Sequence, residues 1–574
     1  MVEEKLKALE TDVLILGSGG AGLFAALHAH KANPGLSITV AVKGLLGKCG
    51  CTRMVQGGYN VALAREDSVE RHFMDTIEGG KWLPDQELAW KLVTLAVERI
   101  RELENELGCF FDRNPDGTVH QKAFAGQSFD RTVHKGDLTG IEIVNRLAEQ
   151  VWVRKIGRLE EHRAVELIKN SSADAISGVL FIDMRSGEYV FVRAKAVLLA
   201  TGGGPTMYKY HTPSGDKSCD GLAMALRAGL RLRDMEMVQF HPTGLLAGTH
   251  TRMTGTVLEE GLRGSGGHLL NGARERFMPL YDPLAERATR DIVSRAMFSE
   301  MRSGNTSPNG GLFISMRHLN QDLVKKQFRG MVERCADCGF DLAGGLVEVV
   351  PTAHYMMGGL EFAPDCSTGL AGLFVAGEDA GGVHGANRLG GNGVANSTVF
   401  GAVAGDSMAA WVRNEALRQP DPAAIDAAIA HCERPFEAGA RGDLEPLREK
   451  LYDTMWEKAG IMRDAAGLES ALDDLNSIET QLRTCSLADS NRSFNLTWHD
   501  WLNLQSLTTV SRAIATAALA RSDSRGAHFR SDFPHTGALE SSSFTSITVD
   551  GRVSMKPVEF TRVRPGQSLL KNAA

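Results

Sequence analysis

Three features predict an α/β chain: an N-terminal strand that runs into a glycine turn and a helix, two later strands that end in glycine, and helical periodicity beyond residue 417. Asp12–Leu16 (DVLIL) has the branched apolar character of a short buried strand. Gly17, Gly19, Gly20 and Gly22 follow in GSGGAG, Leu23–His30 reads as a helix, and Ser37–Val42 as a second strand. This is the context that a dinucleotide fingerprint needs. Gly17 makes the tight turn, Gly19 lets backbone approach a pyrophosphate, Gly22 lets helix and strand pack closely, and the helix N-terminus presents unpaired N–H groups. Ala196–Ala200 (AVLLA) then runs into Thr201 and Gly202, and Leu373–Ala376 (LFVA) runs into Gly377 and Glu378. Together the three strands predict a Rossmann-like domain assembled from residues 1–237 and 349–416, with 238–348 inserted between its parts. Arg441–Asp464, Leu468–Thr484 and Trp498–Ala520 carry helical periodicity, predicting a helical domain over 417–521. From Ser522 the chain turns polar, and 522–574 is expected to form short strands and coil.

Composition removes whole classes of function. A chain of 574 residues with 43% apolar and 23% charged side chains is globular and long enough for about four domain-sized units. Its formal charge of −7 excludes a general nucleic-acid binder, which needs a positive field. Glycine is the unusual count, 62 residues in short clusters, as expected where backbone approaches a large ligand. Nine cysteines in no framework spacing point to a reducing compartment, and MVEEKLKALE has no apolar signal segment. No run approaches 18 apolar residues, so no direct membrane insertion is expected. The expected location is cytoplasmic, at a membrane's inner face only through partner subunits. Cys335 and Cys338 supply two ligands where a zinc or iron–sulfur site needs four, so no metal is expected. Lys43 stands where NAD-binding domains carry an acidic ribose anchor, which argues against simple NAD binding.

A longer set of runs carries a family resemblance. Besides GSGGAG these are QGG at 56–58, DTIEGGKWLPDQ at 75–86, AFAGQSF at 123–129, ATGG at 200–203 and QFHPTG at 239–244. RGSGGHLLN at 263–271, TRDIVSRA at 289–296, PTAHYMMGG at 351–359 and HGANRLGGN at 384–392 continue it, and MWEKAGIMR at 455–463 and SRGAHFRSDFP at 524–534 carry it through the C-terminal third. In these runs the chain resembles the flavoprotein subunits of succinate dehydrogenase and fumarate reductase, with L-aspartate oxidase as a near relative. The resemblance implies a Rossmann-like FAD-binding domain, an inserted α+β capping domain, a C-terminal helical domain and a short C-terminal tail. It also implies a small dicarboxylate substrate and, as partner, an iron–sulfur electron-transfer subunit.

The same resemblance assigns roles. Arg290 matches the catalytic arginine that exchanges a proton with substrate. Arg388, His354 and His241 match the groups that bind its carboxylates, Glu260 the glutamate that contacts substrate and joins the proton path, and Phe124 an apolar wall. Toward FAD, Gly17, Gly19, Gly20 and Gly22 are expected at the pyrophosphate, and Lys43 near the adenosine. Gly57 and Gly58 are expected against the isoalloxazine with Asp220 nearby, Glu378 at the ribitol and Asn392 near the ring. Cys51, Thr52, Gln56, Ala200, Thr201, Gly202 and Arg388 complete the expected cofactor contacts.

Two departures from the family pattern bear on chemistry. Where the family has Thr before the glutamate, this chain has Glu259. A second carboxylate beside an anionic ligand is costly unless protonated, turned away or paired with a cation, and otherwise signals a changed substrate. Five residues before Gln56, where succinate dehydrogenases carry a flavin-linked histidine, stands Cys51. FAD held without a covalent bond is therefore expected. The leading expectation is interconversion of a C4 dicarboxylate and its unsaturated form. The alternative is a stand-alone oxidase of amino-dicarboxylates resembling L-aspartate oxidase, in which Glu259 pairs with a substrate ammonium. A non-enzymatic flavin scaffold has no need for convergent cations.

Overall fold

The computed structural model describes residues 6–248, 251–437 and 440–570. The first five residues, part of the charged N-terminal run, lie outside the described residues. Strand β1 (Leu6–Leu16) starts six residues earlier than its apolar run predicts, because its polar first half pairs in parallel with the start of Tyr189–Leu199. Helix α1 (Gly20–Ala32) follows, then β2 (Ile38–Val42), parallel to β1. On the other side of Tyr189–Leu199, its last residues pair in parallel with Leu373–Val375, while its first residues pair antiparallel with Ile176–Asp183. Leu16 lies opposite Leu199, and Leu199 opposite Val375. The three strands that end in glycine therefore stop level with one another, and their turns meet at one edge of one sheet. That edge is where open α/β sheets bind nucleotides.

Helix α1 lies against Asn392–Trp411 at the distance only glycine permits. A Cβ on Gly401 would sit 2.5 Å from the Ala21 carbonyl oxygen, and one on Gly405 2.4 Å from that of Ala25. Both helices are buried nearly all round, which explains their weak amphipathicity.

Residues 238–356 carry a separate antiparallel sheet. Val238–Leu245 pairs with Val347–Met356, followed by Leu312–Ser315 and His268–Leu270. Its core includes Leu245, Leu258, Leu269, Met297, Ile314 and Val347. Helix Arg290–Arg302 packs on this sheet and brings its first residue to the gap between the sheet and the nucleotide-type fold.

Helices Glu445–Lys458, Ala465–Thr484 and Leu496–Ala520 form the helical layer. Trp498 and Trp501 are fully buried, their indole N–H groups donating to the carbonyls of Cys432 and Leu482, both at 2.9 Å. The C-terminal segment turns back on the junction. Ser543–Ile547 pairs with Leu232–Arg233, which also pairs with Gly359–Leu360. Arg521 fixes this return: its Nε donates to Glu236 Oε1 at 2.6 Å, and Thr545 Oγ1 donates to Glu236 Oε2 at 2.7 Å, all buried. Arg521→Met leaves Glu236 buried without its cation, while Asp234 keeps Arg233, an expected loss of about 3–5 kcal/mol. A calorimetric thermal midpoint unchanged from the parent would contradict that role.

Candidate active site

The strand ends, the insert and the helix Asn392–Trp411 enclose one elongated cavity of about 580 Å³. One end is built of glycine. A Cβ on Gly17 would lie 2.1 Å from the Ala200 carbonyl oxygen, and one on Gly22 2.0 Å from that of Gly17, so neither position tolerates a side chain. The first turn of α1 contains no acidic residue, and only Gly20 N–H is taken by a side chain, the Thr52 hydroxyl at 3.1 Å. This is a helix N-terminus prepared for an anion. Asp379 collects the N–H groups of Thr201 at 2.5 Å and Gly202 at 3.2 Å, closing the neighbouring turn. Glu378 accepts from Met356 N–H at 2.9 Å and Gly204 N–H at 3.2 Å.

Lys43 donates to Asp220 Oδ2 at 3.0 Å and to Ser218 at 2.9 Å, and Arg163 Nη2 donates to Asp220 Oδ1 at 2.8 Å. Burial lowers the Lys43 pKa, while Arg163 and Lys43 hold the Asp220 carboxyl below its ordinary range despite burial. Asp220 is thus committed to Lys43 and Arg163, a different setting from the grouping with Gly57 and Gly58 expected from sequence. Cys51 faces the cavity beside Thr52; burial, then Glu378, raises its thiol pKa, so it stays protonated.

The other end holds the convergent cations. Arg290 Nη2 and Nε donate to Glu260 Oε2 at 2.6 and 3.1 Å, and its Nη1 donates to Gln239 Oε1 at 3.0 Å. Arg263 donates to the other Glu260 oxygen at 3.3 Å and to the Glu286 carbonyl at 2.6 Å. Glu260, although buried, is held ionised by Arg290 and Arg263. Arg388 is different: it is 6% exposed and forms no ion pair among the described residues. Its guanidinium lies 4.3 Å from the Tyr355 ring centroid, its Nε has no partner, and burial and Arg290 push its pKa down to about 10. His241 and His354 rings lie 5.4 Å apart. Thr243 N–H donates to His241 Nδ1 at 3.3 Å, which leaves its Nε2 as the proton-bearing nitrogen. Thr212 Oγ1 lies 2.8 Å from His354 Nδ1. Burial, then Arg290, depresses both histidines far below 6.5, so both are neutral. Glu259 also lines this end, with Lys122 Nζ 2.5 Å from its Oε1.

Two comparisons decide the family. The "FAD binding domain" family model matches residues 12–394, and the "Fumarate reductase flavoprotein C-term" model matches 448–569. The chain belongs to the fumarate reductase flavoprotein family. It is 38% identical over 535 residues to a fumarate reductase (CoM/CoB) polypeptide of Methanothermobacter marburgensis, covering 92% of this chain and 95% of the relative. The fumarate reductase flavoprotein subunit of Escherichia coli strain K12 is 34% identical, covering 92% of this chain and 89% of that one. Among solved structures, E. coli quinol fumarate reductase superposes with a TM-score of 0.91 at 31% identity, covering 98% of this chain and 99% of that chain. The chain is therefore an FAD-dependent oxidoreductase of the fumarate reductase and succinate dehydrogenase type.

Within this flavoprotein the residues picked from sequence line the cavity, including Gln56, Gly57, Gly58, Phe124, Ala200, Thr201 and Gly202. Gly22 and Asn392 do not. Gly22 serves helix–strand packing, and the Asn392 amide turns to Asn60, His72 and Thr76. Sequence reasoning missed Gln239, Arg263, Arg163, Thr212, Asp379 and Lys122. Gln239 and Arg263 stand inside the motif runs and were legible there; Thr212 had no local signal. Neutral His241 and His354 should show no titration between pH 8 and pH 6 in histidine ring ¹⁵N shifts of the purified flavoprotein, and a midpoint near 6.5 would contradict this environment.

Proposed function

We propose that this chain interconverts a C4 dicarboxylate and its unsaturated form, fumarate and succinate being the reference pair. The observation that carries the proposal is Arg388: a buried guanidinium without an anion is costly, and a ligand carboxylate supplies the missing partner in bidentate geometry. Neutral His241 and His354 add hydrogen bonds without adding charge. Glu260 neutralises one of Arg290 and Arg263, and Glu259 is balanced by Lys122. With Arg388, two positive charges remain in surplus, the complement of a dianion.

The glycine cradle, the open N-terminus of α1 and a cavity lined from the glycine turns to Arg290 and Arg388 fit FAD. Gly17, Gly19 and Gly20 would face its pyrophosphate, Lys43 and Asp220 its adenosine end, Glu378 its ribitol, and Gly57 and Gly58 its ring. When bound, FAD supplies the hydride equivalent of the reaction. Arg290 holds the proton that the neighbouring substrate carbon gains or loses, and ionised Glu260, bridging Arg290 to Arg263, relays its replacement from the Arg263 side. Phe124 and the insert exclude water from the substrate. A protonated Cys51 thiol supports FAD held without a covalent bond. Electrons enter or leave through an iron–sulfur subunit; exposed Leu45, Met54 and Leu138, the last two also on the cavity wall, suit such a docking edge.

Anaerobic mixing of the reduced holoenzyme with fumarate should reoxidise it. Arg290→Gln should slow that step about 10²- to 10⁴-fold while fumarate still binds. Arg388→Leu should instead raise the fumarate dissociation constant by about tenfold or more. No reoxidation by any unsaturated C4 diacid would overturn the proposal. Denaturing mass spectrometry should find the polypeptide without flavin; an adduct on Cys51 would refute non-covalent attachment.

A further inference from the structure

Glu259 is 7% exposed, lines the same cavity as Arg290, Arg388 and His354, and is tied through only one of its two oxygens. Lys122 Nζ reaches Oε1 from the strand Gln121–Lys122, from outside the cavity lining. Its ammonium also lies 5.7 Å from the Phe124 ring centroid. The cation thus holds the carboxylate from behind, and Oε2 has no hydrogen bond among the described residues. The other charged groups that face Glu259 are Asp137, from the loop before helix Thr139–Val153, and its chain neighbour Glu260. Burial, together with Asp137 and Glu260, raises the Glu259 carboxyl pKa, and Lys122 opposes that rise. A fixed acceptor with an open lone pair, in a wall that faces an anionic ligand, repels a bare carboxylate oxygen and rewards a donor.

We propose that Glu259, positioned by Lys122, is a specificity residue whose open oxygen accepts a hydrogen bond from a donor on the substrate end that faces it. This rests on the dicarboxylate reading above and narrows it to a C4 diacid that presents such a donor. Two sources share that chemistry: a hydroxyl or ammonium substituent, or the proton of a half-neutralised second carboxyl. Lys122 touches no substrate; it prevents the carboxylate from turning and keeps the wall neutral.

The test is equilibrium binding to the oxidised full-length holoenzyme, read by flavin absorbance between pH 6 and pH 8, with succinate, 2-hydroxysuccinate and 2-aminosuccinate as probes. With a substituent donor, a substituted diacid binds at least about tenfold tighter than succinate at pH 7.5, the size of one good hydrogen bond to a charged acceptor. With a carboxyl proton as donor, succinate binding weakens as pH rises, by up to about tenfold per unit, and substituents bring no gain. In either case Glu259→Thr, and the isosteric Glu259→Gln, should abolish the preference or the pH slope, and Lys122→Met should reduce it while Lys122→Arg restores it. Succinate binding that is flat with pH, with no preference for a donor, would overturn the proposal, as would a preference that survives both Glu259 variants. Failure of all three diacids to bind would instead remove the dicarboxylate reading, a separate outcome.

Discussion

The arrangement depends on one unbalanced charge. Arg388 is removed from water without an ion-paired protein carboxylate, in a cavity also lined by Arg290, which shares a single glutamate with the buried Arg263. Like charges in low dielectric repel, and the lowered pKa of Arg388 expresses that repulsion together with lost hydration. Such a site persists only where the surrounding packing forces it. Tyr355 lies against the guanidinium, and Gly393 leaves room for it, since a Cβ there would meet Arg388 Nη1 at 2.9 Å. The fold stores an electrostatic deficit that the proposed dicarboxylate would remove.

That deficit is assembled from both sides of a junction. Arg290 and Glu260 arrive on the insert, Arg388 on the returning part of the nucleotide-type fold, and His241, His354 and Tyr355 on paired strands of the insert's own sheet. Two devices hold the junction: the sheet pairing that draws residues 543–547 onto 232–233, and the buried Arg521–Glu236 contact next to it. The geometry of the junction therefore rests in part on the far C-terminal chain. A hydrogen bond from Arg295 Nη1 to the Gly526 carbonyl at 2.7 Å ties the Arg290 helix to the same segment.

The strand ends and glycine turns were legible in the sequence because their constraints are local. Gly17 and Gly22 have no space for a Cβ, and the flanking branched residues have both sheet faces to fill. The Arg290, His354 and Arg388 set was legible only through motif runs, since nothing in one sequence says that residues 290 and 388 meet. Long-range pairs escaped for the same reason. Thr212 and His354 are 142 residues apart, Arg163 and Asp220 are 57 apart, and Lys122 and Glu259 are 137 apart. Glu259 was visible as a break in pattern, but its partner stood one residue outside the AFAGQSF run and had no reason to be chosen.

On the proposed reading of the site, the choice of Arg290 as proton donor rests on what surrounds it. His241 and His354 are neutral, and a neutral imidazole is a very weak acid. Glu260 is ionised and has no proton to give. Lys122 lies behind Glu259, outside the cavity lining. Among the described guanidiniums at this end, Arg388 is placed to neutralise a carboxylate, Arg263 is occupied by Glu260 and the Glu286 carbonyl, and Arg334 donates to the Val257 carbonyl. Arg290 combines an exit to the cavity with a 2.6 Å contact to a carboxylate that can relay a replacement proton from the Arg263 side. A guanidinium is an unusual acid, and it gives up a proton only to a much stronger base. Hydride addition to one carbon of an unsaturated diacid leaves the neighbouring carbon electron-rich, which is such a base. The site therefore needs a proton held at the right carbon more than it needs an acidic group, and a positioned arginine backed by Glu260 meets that need.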